Sequence, residues 1–204
     1  MEKCSVLFYA TKNHSKLHNM HYRLREHSVQ ILSPEDLDYE IEVNENGATA
    51  TDNAVVKALA YYSKVKMPTI AGDSGMYIEG LPQDKQPGLH VRRVNGKALS
   101  DEEMIEYYAD IASNSPCDLY LHYYTGIALI TSEGVFTTEI EDCPLKLVST
   151  PNPNREHGGN PIDVLSLTEA GRYYNDLSDE ERVQLDSKTE KEFLSFMEKY
   201  LDME

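Results

Sequence analysis

The stretch TIAGDSGMYIEG, residues 69–80, has the pattern of two short buried strands separated by a polar turn. Residues 69–71 and 76–78 are largely apolar, and Gly-Asp-Ser-Gly stands between them. Asp and Gly are preferred in turns, so a plain turn explains the pattern. A carboxylate at the carboxyl end of a strand is also where open α/β sheets bind ligands. On this stretch alone, both interpretations of Asp73 are open.

Alternating strand and helix patterns surround this stretch and predict a mixed α/β sheet with flanking helices. The predicted strands are 4–10 (from Cys4), 29–32, 39–43, 69–71, 76–78, 120–131 and 135–140. The predicted helices are 13–27, 50–65, a helix capped by Ser100 that runs to Ile111, and 178–200. A hairpin turn is predicted at 132–134, and long loops at 80–97 and 149–172. With 204 residues, we expect one domain, 1–204.

Composition excludes some classes of partner. Acidic residues outnumber basic ones by 35 to 19, which gives a formal net charge of −16. Such a chain repels nucleic acid polymers, although a small anionic substrate can bind where basic residues and a metal are focused. The three cysteines show no CxxC pattern, which favours the cytoplasm. The N-terminal apolar stretch of about six residues predicts no membrane span.

Two further polar stretches can carry chemistry. Residues 11–16 follow the first predicted strand and open a helix, where free backbone N–H groups favour an anion. An N-cap followed by an exposed lysine explains these residues equally well. In the second stretch, Asn53 and Lys57 share one face of the predicted helix 50–65. A solvated helix face is the simpler interpretation of that pair.

Taken in order, these stretches resemble the inosine triphosphate pyrophosphatase (Ham1-like) family, enzymes that hydrolyse non-standard purine nucleoside triphosphates. The family motifs are T-x-N-x-x-K, E-x-G-A-T-x-x-E-N-A-x-x-K-A, A-D-D-S-G-L, P-G-x-x-x-x-R and G-K-T-F-A-E-L-S. Their counterparts are Thr11 with Asn13 and Lys16, residues 45–58, residues 71–76, Pro87-Gly88 with Arg93, and residues 171–178. Each motif is weak alone, but five in order are specific.

The resemblance implies a metal-dependent pyrophosphohydrolase acting on a small-molecule nucleoside triphosphate. Glu45 and Asp73 would hold Mg²⁺ or Mn²⁺, and Asp73 would be the catalytic residue that orients or deprotonates the attacking water. Attack at the α-phosphorus would yield a nucleoside monophosphate and pyrophosphate. The residues implied to bind the phosphates are Thr11, Asn13, Lys16, Lys57, Ser74 and Arg172. Arg172 stands where the family has lysine, and it replaces a point charge with a fork of donors.

The departures from the family pattern concentrate on the base. The implied base-binding residues are His157, Gly158, Asn160, Ser187 and Lys188, where the family has F-G-Y-D-P and S-H-R. Histidine can stack on a base, whereas Asn160 offers a donor where an ionised Asp only accepts. A loop histidine and an exposed helical lysine are the simpler interpretations of His157 and Lys188. Gly72 stands where the family carries an acid, which predicts a weaker or reshaped metal site.

These observations leave three functional hypotheses. The first is a nucleoside triphosphate pyrophosphohydrolase with an altered base preference. The second is a catalytically inactive protein that binds or senses nucleotides, and the third is a hydrolase of another diphosphate-containing metabolite. The retained Asp73, Glu45, Lys16 and Lys57 favour an enzyme. The family resemblance also implies two lobes around a central cleft and a homodimer.

Overall fold

A computed structural model describes residues 2–3 and 6–203, so Cys4, where the first strand was predicted to begin, lies outside the described residues. The strands are β1 (Glu2–Lys3), β2 (Val6–Tyr9), β3 (Gln30–Leu32), β4 (Thr69–Glu79), β5 (Arg93–Val94), β6 (Lys97–Ala98), β7 (Leu119–Thr131), β8 (Gly134–Glu141), β9 (Leu145–Leu147), β10 (Ser166–Leu167) and β11 (Leu201–Asp202). The α-helices are α1 (His14–Arg23), α2 (Ala50–Val65), α3 (Asp101–Ser113), α4 (Asp179–Leu185) and α5 (Ser187–Tyr200). Short 3₁₀ helices span Pro34–Asp36, Gln83–Lys85, Pro161–Leu165 and Tyr174–Asp176. The predicted mixed α/β fold is confirmed.

The chain divides into two compact units. The first unit comprises residues 1–74, 124–140 and 187–204, and the second comprises 75–123 and 141–186. The prediction of a single domain stays a prediction. Within the described residues, no helix is long and apolar enough to cross a membrane.

The sheet of the first unit has a helix layer on each face. Its strands lie in the order β3, β2, β4, β7, with β8 on β7, and β2 runs parallel to both β3 and β4. Side chains alternate between the two faces of a strand, so consecutive residues enter different cores. One face packs on α1 and α5 through Leu7, Tyr9, Ile70, Ile127 and Leu129. The other face packs on α2 through Phe8, Ala10, Ala71, Ala128 and Ile130.

β4 is a single strand, so the predicted turn at 72–75 is wrong. The chain stays extended through Gly72-Asp73-Ser74-Gly75. The polar side chains need no turn because helix residues bind them: Asn53 on α2 contacts Asp73, and Lys16 on α1 contacts Ser74. Asp73 therefore follows Ala71 on the α2 face, and Ser74 follows Ile70 on the α1 face.

The second unit contains an antiparallel arrangement that the sequence did not predict. β9 pairs with β7 and with β10, with Leu147 opposite both Leu119 and Ser166. The 3₁₀ helix Pro161–Leu165 is buried and joins the apolar core beside α3. The segment 149–172 is therefore partly core-forming, because its apolar run 161–165 packs on α3.

Other predicted boundaries differ in specific ways. Residues 39–43 form no strand, and α1 ends at Arg23, where the capping residue Leu24 donates its N–H to Met20. The predicted helix 178–200 is divided at Asp186, whose carboxylate accepts the backbone N–H of Cys143 at 2.7 Å. The predicted hairpin and the bounds of the helix 50–65 are confirmed.

Candidate functional site

The carboxylate of Asp73 is held by a buried amide on the neighbouring helix. Asn53 Nδ2 donates to Asp73 Oδ2 at 2.8 Å, and Asn53 Oδ1 accepts the backbone N–H of Gly47 at 2.7 Å. Only 5% of Asn53 is exposed, whereas Asp73 is half-buried. Sequence analysis placed Asn53 and Lys57 on one helix face but assigned no role to Asn53. The shared face with Lys57 was the signal that could have identified Asn53 as a site residue.

Lys16 contacts β4 from the α1 face. Its Nζ lies 3.3 Å from both the Gly72 carbonyl and the Ser74 hydroxyl. The Ser74 hydroxyl also shares a hydrogen bond of 2.9 Å with Thr125 on β7. Thr125 was not anticipated, because no motif covers β7. Lys16 is therefore not the exposed lysine of a simple helix start.

An ion pair lies in the same unit. Lys57 Nζ contacts Glu45 Oε2 at 2.6 Å, and the Lys57 side chain is only 15% exposed. Burial, followed by the positive charge of Lys57, lowers the pKa of Lys16, while the carboxylates of Asp73 and Glu45 act in the opposite direction. These four charges therefore interact, and a bound polyphosphate would relieve the repulsion between the two ammonium groups.

Lys16, Glu45 and Lys57 line an open pocket of about 810 Å³, a size typical of small-molecule sites, whereas Asp73 and Ser74 are not among its lining residues. Its lining includes Thr11, Asn13, Lys16, Glu45 and Lys57. Asn13 is also the N-cap of α1, since its side chain accepts the N–H of Lys16 at 3.1 Å. The structure thus brings five of the predicted phosphate- and metal-binding residues to one pocket.

The donor chemistry of the first unit suits a hard cation such as Mg²⁺. Carboxylate and carbonyl oxygens are its usual protein ligands, and substrate phosphates commonly complete its coordination. Among the described residues, Asn53 occupies Oδ2 of Asp73 and Lys57 occupies Oε2 of Glu45, so each carboxylate keeps its other oxygen for a metal. Within the described residues, no group of three or more His, Cys, Asp or Glu side chains is arranged so that it could hold a metal ion by itself. The residues therefore fit a metal shared with a substrate rather than a closed protein cage.

The predicted base-binding segment 157–160 lies in the second unit. Gly158 has a φ of +56°, the left-handed region that favours glycine, and His157 Nδ1 accepts the N–H of Gly159 at 3.3 Å. Asn160 Nδ2 donates to Asp163 at 2.6 Å and to the Tyr123 hydroxyl at 3.3 Å. Asn160 was predicted to donate a hydrogen bond to a base. In the structure, its side-chain amide already donates to two acceptors within the second unit.

Asp163 is a buried carboxylate that sequence analysis missed. It is 6% exposed, and burial raises its pKa to about 7, opposed by the charge of Arg182 and by the hydrogen bond from Asn160. The signal was available as a lone acid within the apolar run 161–165. Because two carboxylates at this spacing would repel each other, Asp163 explains why an amide stands at 160.

The raised pKa of Asp163 predicts a pH-dependent stability. The unfolded chain loses this proton near pH 4 and the folded chain near pH 7, so folding is penalised as the pH rises through this window. Asp163→Asn should therefore gain stability relative to the wild type by about 2–3 kcal/mol between pH 5 and pH 8. Urea unfolding at both pH values measures the difference, and exposed Asp84 in an Asp84→Asn variant is the control. A constant difference across this range would contradict the assignment.

The remaining predicted residues lie at helix ends or on exposed surface. Arg172, in the second unit, forms an ion pair with Glu181 through contacts of 2.5 and 3.3 Å. Ser187 is the first residue of α5. Lys188 is exposed and lies 3.7 Å from Glu192, the arrangement of an ordinary surface lysine. Their roles toward a nucleotide stay predictions.

The chain matches a known protein family over most of its length. The model of the Ham1 family matches residues 7–190. A protein of Geobacillus kaustophilus named dITP/XTP pyrophosphatase is 28% identical over 177 residues, which cover 86% of this chain and 85% of that protein. A Leptospira interrogans protein of the same name is 36% identical over 92 residues. That alignment spans 45% of this chain and 46% of the relative, so the chain spans about half the length of this relative.

Solved structures share the fold. A HAM1 protein of Coxiella burnetii has a TM-score of 0.75 at 22% identity, over 95% of this chain and 98% of that one. The Ham1 protein of Staphylococcus aureus has a TM-score of 0.74 at 18% identity, with the same coverage. At such identities the likeness supports the fold alone.

Proposed function

This chain belongs to the Ham1 family, and we propose that it is a nucleoside triphosphate pyrophosphohydrolase that removes non-standard nucleotides. One observation carries the proposal: Lys16, Lys57 and Glu45 line one open pocket of nucleotide size, and the charge of Asp73 acts on Lys16. The name dITP/XTP pyrophosphatase of the similar proteins supports the same reaction. The products would be a nucleoside monophosphate and pyrophosphate.

The residues of the first unit would have separate roles in substrate binding, metal binding and proton transfer. Lys16 and Lys57 would donate to the phosphate oxygens, with Thr11 and Asn13 at the pocket wall. Substrate binding would draw Lys57 from Glu45 and leave that carboxylate available as a ligand. Asp73, held by Asn53, would accept the proton of the water that attacks the α-phosphorus.

We propose Mg²⁺ or Mn²⁺ as the cofactor, held by Asp73 and Glu45 together with the substrate. The cation would supply neutralisation of phosphate charge and a lowered pKa for the attacking water. The absence of an acid at Gly72 does not remove a metal ligand from the face of β4 that carries Asp73. A Cβ at position 72 would point toward Thr125 and the Tyr9 hydroxyl, at 3.6 and 3.9 Å, on the opposite face.

We further propose an altered base preference, because the residues at the family's base-reading positions are bonded to other protein groups or lie on the exposed surface. The donors of Asn160 already have acceptors, and Lys188 is an exposed surface residue. His157 would stack on the base. Homodimer formation and a cytoplasmic location stay predictions, and light scattering in solution tests the first.

A substrate panel tests the proposal. Purified protein with Mg²⁺ is incubated with dITP, XTP, ITP and the standard ribo- and deoxyribonucleoside triphosphates, and released pyrophosphate is measured. We expect turnover of at least one of these nucleotides, and an altered base preference predicts less than a roughly 10-fold advantage of dITP, XTP and ITP over the standard ones. Turnover of no nucleotide would refute the proposal, and parallel calorimetry would then separate a nucleotide-binding sensor from a hydrolase of another diphosphate compound.

A further inference from the structure

We propose that Asn53 is a positioning residue that fixes the orientation of the Asp73 carboxylate and couples it to the segment that carries Glu45. The inference rests on the proposed function for its catalytic consequence. Its structural basis is a chain of two hydrogen bonds, from Gly47 to Asn53 and from Asn53 to Asp73. All of these residues belong to the first unit.

The side-chain amide can adopt only one orientation in this chain of bonds. The Gly47 N–H is a donor, so it must face the Asn53 oxygen, at 2.7 Å. The amide nitrogen is then directed at Asp73 Oδ2, at 2.8 Å. A flipped amide would place donor against donor and acceptor against acceptor, which would lose both bonds. Asp73 is therefore held by a donor whose direction is set by the backbone.

The position of Asn53 is itself rigid. It lies in the first turn of α2, where Thr49 and Asp52 form a capping box with bonds of 3.0 and 3.1 Å. Asparagine is a poor helix former, and burial of its amide costs free energy unless the amide is hydrogen-bonded. A 5% exposed asparagine on this helix is thus stabilised by its bonds to Gly47 and Asp73.

The close approach of the Glu45 segment requires a glycine. A Cβ at Gly47 would lie 2.6 Å from the Asp52 Cβ and 2.8 Å from Asn53 Oδ1. Any side chain at 47 would displace the segment and break the 2.7 Å bond. Glu45 precedes this glycine by two residues, so the same amide influences both predicted metal ligands.

The test compares two substitutions of the amide. Asn53→Leu keeps the volume and removes both bonds, whereas Asn53→Asp keeps the acceptor for Gly47 but removes the donor to Asp73. Loss of an outer-shell partner typically costs about 10–100-fold in metal affinity or activity, and we expect that loss in both variants. Asn114→Leu, at an exposed capping asparagine of α3, is the matched control and should change neither quantity.

A double-mutant cycle separates positioning from general stability. Mg²⁺ affinity is measured by calorimetry on protein saturated with an α,β-methylene triphosphate, in wild type, Asn53→Leu, Asp73→Asn and the double variant. If Asn53 acts through Asp73, its substitution weakens Mg²⁺ binding more in the wild type than beside Asp73→Asn, where only its effect through the Glu45 segment remains. Equal losses in both backgrounds, accompanied by a lower melting temperature, would overturn the inference.

Gly47→Ala keeps the test valid if the Asn53 variants do not fold. It leaves Asn53 unchanged and displaces the Gly47 N–H that donates to Asn53 Oδ1, so Mg²⁺ affinity should fall again, and unchanged affinity would overturn the inference. Wild-type turnover is measured separately. A wild type that hydrolyses no nucleotide but loses Mg²⁺ affinity on Asn53→Leu would contradict the proposed function and leave the positioning role supported.

Discussion

Asp73→Asn should lower pyrophosphate release by roughly 1,000-fold or more while the protein remains folded. The substitution is nearly isosteric, and the new side-chain oxygen can still accept the hydrogen bond from Asn53. What is lost is the negative charge that would hold the metal and accept the proton of the attacking water. Turnover of the best nucleotide of the panel and thermal unfolding are measured on the same preparation.

Exposed Asp84 provides the matched control, since Asp84→Asn removes one negative charge at a residue that has no proposed role. Its turnover should equal that of the wild type. A fully active Asp73→Asn variant would exclude Asp73 as the catalytic residue. A wild type that binds nucleotide without releasing pyrophosphate, and that Asp73→Asn leaves unchanged in affinity, would instead favour a sensor.

Gly126→Ala should destabilise the protein more than any other single methyl addition considered. A Cβ at this position of β7 would lie 2.3 Å from the Thr51 nitrogen and 2.6 Å from the Ala50 carbonyl carbon. These are backbone atoms in the first turn of α2, which cannot rotate away as a side chain can. Overpacking of this kind costs about 3 kcal/mol, which corresponds to a melting temperature lower by about 6–12 °C.

Gly72→Ala on β4 is the control for that substitution. Its added Cβ would lie 3.6 Å from Thr125 and 3.8 Å from the Gly126 carbonyl, ordinary contact distances. Calorimetric melting of both variants should therefore show a large decrease for Gly126→Ala and a small change for Gly72→Ala. Equal decreases would mean that the packing of α2 on β7 is looser than the structure describes.

Local signals in the sequence predict most of the first unit. The cap at Thr49 and the apolar face of 50–65 give the helix α2 correctly, because capping and periodicity act within a few residues. Lys16, Lys57, Glu45 and Asp73 were all identified through motifs, and the structure places Lys16, Lys57 and Glu45 in one pocket, with the charge of Asp73 acting on Lys16.

The features that were missed depend on residues distant in the chain. Gly72-Asp73-Ser74-Gly75 resembles a turn until the partners of its side chains, Asn53 and Lys16, are known. The roles of Asp163 and Asn160 depend on the hydrogen bond between them and on the bond from Asn160 to Tyr123, which lies 37 residues earlier in the chain. Tertiary contacts therefore override local preference at these positions.

Because β4 is continuous, its register determines which helix each of its side chains contacts. Asp73 and Ser74 are neighbours in the chain, yet they face different helices, α2 and α1. Deletion of one residue between Thr69 and Gly72 would exchange their faces, which would present a hydroxyl to Asn53 and a carboxylate to Lys16. Helices α1 and α2 thus contact alternate residues of β4. The site therefore tolerates a change of side chain in this strand better than a change in the length of the strand.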